Sequence, residues 1–165
     1  MNVRLVRCAL SVTACITLAT GARADMPMLT VYTVNCSGCH GAEGLGVPEV
    51  GIPDLNEAGR LVRTELGREY LIQVPGLSQS RLDDATAARL LNWILRKFSV
   101  NRLPADFAPY TPEEVAHFRA DKASDAKIRR DAILAEMRSR GLLGSDYAAA
   151  APADPMTKDR PQWSN

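Results

Sequence analysis

The sequence predicts an all-α fold, and three observations carry the prediction. Ala87, Leu90, Leu91, Ile94 and Phe98 fall at i, i+3, i+4, i+7 and i+11, which defines one apolar stripe along a helix. Helix-start signals recur: Asp83 stands before that stripe, and Thr111-Pro112-Glu113-Glu114 forms a capping box with proline at the first helical position. No segment alternates apolar and polar residues as a half-buried strand would, and no internal repeat is present.

The first segment reads as a signal peptide over residues 1–24. Arg4 and Arg7 form a positive start, Cys8 to Thr20 is mostly apolar, and Ala22-Arg23-Ala24 supplies an A-x-A cleavage pattern. The apolar run is too short to span a bilayer, so the expectation is export, to the periplasm, with no membrane span in the mature protein. Cleavage removes three arginines and no acidic residue, which takes the formal charge from +1 to −2. That balance gives no case for nucleic-acid binding. It also removes Cys8 and Cys15, which leaves Cys36 and Cys39 as the mature cysteines.

From residue 25 onward each element has a local reason. Asp25-Met26-Pro27 reads as a cap followed by a helix-compatible proline, and Met28, Leu29, Val31, Tyr32 and Val34 supply an apolar helix of mediocre propensity. Gly41, Gly44, Gly46, Pro48, Gly51 and Pro53 then predict a tight irregular loop. Asn56 to Gln73 carries a weaker helical pattern, with Leu61, Leu66, Tyr70 and Leu71 facing inward and Gly67 as an interruption. Trp93 and Leu95 widen the stripe of the following helix, while Arg89, Arg96 and Lys97 cover its other side. A connector over 101–110 precedes a short helix from Pro112 to about Ala120. A further helix opens at Ser124-Asp125 and ends near Arg140, before Gly141. From Ser145 the chain is rich in alanine and proline without apolar periodicity, so a disordered tail is expected. The organisation is therefore 1–24 signal peptide, 25–100 domain, 101–144 helical extension and 145–165 tail.

The chemistry sits in Cys36-Ser37-Gly38-Cys39-His40. Cys-x-x-Cys-His is the attachment signature of a c-type haem. The two-residue gap lets both thiols reach one porphyrin edge, and the adjacent imidazole of His40 supplies the proximal iron ligand. A thioredoxin-like reading needs a βαβ context that is missing. A structural zinc site needs four ligands, for which His117 would have to join from a distant helix.

Residues 25 to about 99 resemble class I cytochrome c domains, the small mono-haem electron carriers of bacteria. Tyr32, the Cys36–Gly41 run and Glu43-Gly44-x-Gly46 look like that family's first segment, and Leu82-Asp83-Asp84 through Ile94 like its last helix. Pro53-Asp54-Leu55 is similar to its proline-leucine loop. By that likeness the carbonyl of Pro53 accepts a hydrogen bond from the proximal imidazole and orients His40. The resemblance implies a cytochrome c-like fold around one covalent haem c.

One departure matters. A methionine shortly before the last helix usually supplies the sixth iron ligand in that family. Here the stretch is Gln73-Val74-Pro75-Gly76-Leu77-Ser78-Gln79-Ser80, and Val74 or Leu77 occupies the matching place without a donor atom. The iron then has an apolar distal side, an exogenous ligand, or a ligand from the extension, where His117 and Met137 carry suitable atoms. An isolated histidine on a charged helix is ordinarily an exposed side chain, and Met137 beside Ile133 and Leu134 is more simply a core filler.

Two functions follow. The first is single-electron transfer with no catalytic side chain, either as a soluble carrier or as the cytochrome subunit of a periplasmic dehydrogenase. Its redox partners would be such a dehydrogenase or a terminal oxidase. The alternative is a five-coordinate haem protein that binds or turns over nitric oxide, carbon monoxide or peroxide. Peroxide chemistry wants a positioned base and a polar stabiliser, and Gln73, Gln79 and Arg81 form no clear pair.

Overall fold

The computed structural model describes residues 26–120 and 125–147. Among these the regular structure is helical: α1 Met28–Asn35, α2 Ser37–His40, α3 Ala58–Leu61, α4 Glu65–Gln73, α5 Pro75–Ser78, α6 Asp84–Phe98, α7 Pro112–Arg119 and α8 Ala126–Ser139. Short 3-10 turns and one isolated β-bridge, Val47 to Ile52, complete it.

Helix α6 forms as its sequence dictates. The Asp83 carboxylate accepts the Thr86 N–H at 2.7 Å, and Arg96 and Lys97 lie in the last turn, where the helix dipole favours cations. Ala87, Leu90, Leu91, Ile94 and Leu95 are buried, while Arg89, Arg96 and Lys97 are exposed. Full burial of each leucine or isoleucine contributes about 1.5–3 kcal/mol. Phe98 and Trp93 are half-buried because they turn toward α1.

Helix α1 has no side-chain cap; Pro27 holds the N-cap position, and Asp25 lies outside the described residues. Packing holds it instead. Val31 and Tyr32 are both 1% exposed. The Tyr32 ring meets Phe98 at 5.0 Å and Trp93 at 5.6 Å, with Trp93 edge-on to Phe98 at 5.7 Å. Such aromatic pairs add about 0.5–1.5 kcal/mol beyond area burial.

The expected helix over 56–73 is divided, though not at Gly67. The break falls at Val62–Thr64. Thr64 then caps α4, its hydroxyl accepting the Gly67 N–H at 3.0 Å. Gly67 lies inside α4, where a Cβ would stand 2.0 Å from the Leu61 carbonyl oxygen. Close approach, not helix breaking, requires the glycine. Leu66, read as inward, is exposed, and Leu61, Tyr70 and Leu71 are buried as expected. The periodic reading failed at Leu66 because the cap at Thr64 sets the rotation of α4.

The C-terminal helices share the core of the rest of the chain. Tyr110, Val115, Ile133, Leu134, Met137 and Leu143 belong to the same buried cluster as α4 and α6. Thr111 caps α7 through the Glu114 N–H at 3.2 Å, and Asp125 caps α8 through Ile128 N–H at 2.9 Å. Helix α8 stops in a Schellman motif. Gly141 has φ +67°, its N–H reaches Arg138 O, and the Leu142 N–H reaches Met137 O at 2.9 Å. The chain then runs to Asp146 and Tyr147, at the start of the stretch expected to be disordered. There Asp146 pairs with Arg60 at 2.7 Å and with Arg102 at 2.7 Å. The remainder of that stretch lies outside the described residues.

Candidate haem-attachment site

The Cys-x-x-Cys-His run forms the junction between α1 and α2. Cys36 leaves α1 at φ −129°, and one helical turn follows, carrying Cys39 and His40. A spacing of three along that turn brings the two thiols to one side. Cys36 is half-buried and packs on the core, while Cys39 is exposed, and the two form no disulfide. Burial and the neighbouring Cys39 push the unattached Cys36 thiol up to about 11.

The loop after His40 folds back under it. Gly41 turns the chain at φ +73°, and its carbonyl accepts the Tyr32 hydroxyl at 2.6 Å. The Gly46 N–H donates to His40 O at 3.0 Å, and Leu55 N–H to Gly44 O at 2.7 Å. These bonds deliver the carbonyl of Pro53 to the imidazole, with His40 Nδ1 at 3.1 Å from Pro53 O. A carbonyl only accepts, so Nδ1 carries the proton and Nε2 keeps its lone pair. Burial lowers the His40 pKa from its ordinary value, against Pro53 and Asp54, which push it up. A neutral imidazole with Nε2 open is the form that binds a metal.

The residues present fit a covalent haem. Leu45, Val47 and Val50 are 59%, 42% and 72% exposed on the same loop, an apolar flank that a flat macrocycle would cover. Among the described residues no group of three or more His, Cys, Asp or Glu could hold a metal ion by itself. Among these residues the cysteine pair has no partners that would complete a tetrahedral zinc site.

The other sequence-derived candidates are spread over the fold. Val74 is half-buried at the α4–α5 junction, and Leu77 is 6% exposed on α5. His117 is exposed on α7, its ring edge-on to Phe118 at 4.7 Å. Met137 is fully buried in the core on α8. Gln73 is buried, while Gln79 and Arg81 are exposed. Sequence reasoning passed over Arg119, which binds the stretch between α5 and α6; no local pattern marks a side chain whose acceptors lie some forty residues away.

Two curated proteins are similar to this chain. Both are named cytochrome c-552 and both come from Thermus thermophilus, the second from a specified strain of that species. Each is 30% identical over 125 residues, covering 65% of this chain and 92% and 81% of the respective relative. No family model matches the chain.

Proposed function

This chain belongs to the cytochrome c family, and on that premise we propose that it is a class I, mono-haem carrier of single electrons working in the periplasm. It is an electron carrier and not an enzyme, and its cofactor is haem c, covalently bound and holding iron. When bound, that group supplies a one-electron iron couple and a conjugated edge through which the electron passes.

The chain's own residues hold and orient the group. Cys36 and Cys39 provide the two thioether sulfurs. His40 provides the proximal ligand through Nε2, while its Nδ1–H stays on the carbonyl of Pro53. That bond fixes the tautomer, stops ring rotation and raises the basicity of the ligating nitrogen. The single observation that carries the reading is this imidazole–carbonyl pair beside two cysteines three residues apart that form no disulfide.

Residues 1–24 act as the export signal, 25–100 as the haem domain, 101–144 as a helical extension and 145–165 as the tail. Among the described residues no helix is long and apolar enough to cross a membrane. Electron exchange takes place with a periplasmic dehydrogenase or a terminal oxidase. One observation favours a second reading, an open haem that binds nitric oxide, carbon monoxide or peroxide. Neither Val74 nor Leu77 offers a donor atom in the segment that resembles the family's distal stretch.

The test is secretion through a host with the haem-attachment machinery. The protein should emerge red, with the mass of one haem added, and Cys36→Ala with Cys39→Ala should abolish the addition. Colourless material at the mass of the bare polypeptide would end the proposal. A low-spin haem inert to carbon monoxide supports the carrier, and a high-spin haem that binds it rapidly supports the second reading.

A further inference from the structure

Arg119, the last residue of α7, reaches out of the C-terminal extension into the stretch between α5 and α6. Its Nε donates to Ser78 O at 3.3 Å, and Nη1 to Leu82 O at 2.7 Å and to the Asp84 carboxylate at 3.0 Å. Nη2 donates to Ser80 O at 2.5 Å and to the Ser80 hydroxyl at 2.9 Å. A guanidinium has five N–H donors, and here five acceptors meet them. Its side chain is 14% exposed.

The acceptors show what the contact does. Ser78, Ser80 and Leu82 point alternate carbonyls at one cation. Ser78 ends α5, and Ser80 and Leu82 follow it, so no further turn of that helix bonds their carbonyls. The segment's own backbone bonds are local, Gln79 N–H to Pro75 O and Ser80 N–H to Leu77 O, and Gln73 Oε1 and Ser78 Oγ beside it are buried with no protein partner. Charge-assisted bonds to three carbonyls and a carboxylate are stronger than neutral ones, and they add a long-range hold to a segment otherwise fixed by local bonds.

We propose that Arg119 is a positioning residue for the iron's sixth-ligand side: the extension closes that side by clamping the Ser78–Leu82 segment. The inference rests on the proposed function in one respect, that the stretch from Gln73 to Ser80 stands over the distal face of the haem. Arg119 acts through the segment that it holds. Loosening it should open the distal face to small exogenous ligands without changing haem attachment.

The test uses the mature holoprotein and Arg119→Gln, with Arg119→Lys and Asp84→Asn as milder variants should the first fail to fold. Hydrogen exchange reads the clamp without reference to iron. The amides of Gln79 and Ser80, bonded to Pro75 and Leu77 carbonyls, should exchange about tenfold faster in Arg119→Gln, while α8 amides stay unchanged. Arg119→Lys should rescue only partly, because one ammonium cannot serve three separated carbonyls. Stopped-flow binding of imidazole to the ferric protein and carbon monoxide to the ferrous protein should quicken at least about fivefold. Unchanged exchange overturns the clamp itself. Faster exchange with unchanged ligand binding also overturns the proposal, by showing that the segment does not stand over the iron, while haem attachment and the carrier reading survive.

Discussion

Gly46 and Pro53 approach so closely that a methyl group on Gly46 would stand 2.5 Å from the Pro53 carbonyl oxygen. That oxygen is the acceptor of the His40 imidazole. Gly46 also sits at φ +66°, where an L side chain is strained by about 1–2 kcal/mol. Gly46→Ala should therefore combine backbone strain with displacement of the histidine's acceptor. Gly51→Ala is the control, since φ is +85° there but nothing lies within 4 Å of the added carbon. Thermal unfolding of the holoproteins should show the larger loss for Gly46→Ala. The haem spectrum should change in that variant alone.

Tyr32 ties the first helix to the same loop. Its ring packs on Trp93 and Phe98, and its hydroxyl donates to Gly41 O at 2.6 Å. Tyr32→Phe keeps the ring and leaves the carbonyl without its partner, a cost of about 1–3 kcal/mol. Tyr32→Ala also removes the aromatic contacts and should cost about 3–5 kcal/mol. Denaturant unfolding at constant m-value would measure both. Equal losses would show that the hydroxyl carries the whole effect and the ring packing little of it.

The parts legible in the sequence are those whose cause is local. The α6 stripe repeats within one helix, and the capping residues Asp83, Thr111 and Asp125 each bond an N–H three residues on. Cys36, Cys39 and His40 fall within five consecutive residues. What was misread was geometric: Gly67 looks like a breaker, but the carbonyl of Leu61 is what demands it. What went unseen was long-range. Arg60 meets Asp146 across 86 positions, and Arg119 meets Ser78 across 41. An arginine on a helix looks the same in sequence whether it faces water or a row of carbonyls.

The contact between Arg60 and Asp146 should give the C-terminal end an acid limit. Arg60 is 5% exposed, donates to Glu57 and to the Leu143 carbonyl, and lies under the Tyr147 ring at 5.6 Å. The hydrogen bond from Arg60 is the largest influence lowering the Asp146 pKa from its ordinary 3.8. A lowered folded-state value means stability fully present above the ordinary carboxylate range and lost as pH falls through the depressed value. Hydrogen exchange at Leu142 and Tyr147 should therefore quicken, relative to α6, only as pH drops below about 3.8. Asp146→Asn should show the quickened exchange at neutral pH and no further acid transition there. An identical acid profile in that variant would assign the transition to another group.

On the proposed assignment, the stretch from Gln73 to Ser80 bears on the redox potential. A methionine thioether raises the potential of haem c, and neither Val74 nor Leu77 carries a donor atom. A reductive titration should give a midpoint below that of His/Met-ligated relatives. A midpoint in the high range of such relatives would point to a methionine supplied from elsewhere, of which Met137 would have to leave a fully buried position.

Arg68 and Glu114 should show how strongly the C-terminal helices are held. The guanidinium meets the carboxylate with two bonds, of 3.0 and 2.8 Å, and reaches the Ala108 carbonyl at 2.8 Å. It also lies 4.1 Å from the centre of the Tyr110 ring, whose hydroxyl donates back to Arg68 O at 3.2 Å. Burial pushes the Tyr110 phenol far up, so the hydroxyl stays a donor at any physiological pH. Lysine at position 68 keeps the charge and loses both the two-pronged geometry and the planar stacking. Arg68→Lys should therefore cost about 1–2 kcal/mol despite unchanged net charge. Glu114→Gln should cost less, and the double variant should fall short of the sum, because each single change already breaks the shared pair. Limited proteolysis in the 101–110 connector should rise in both variants before global unfolding. Additive losses would mean that the two residues stabilise the protein independently, and the paired geometry would then be incidental to how the extension is held.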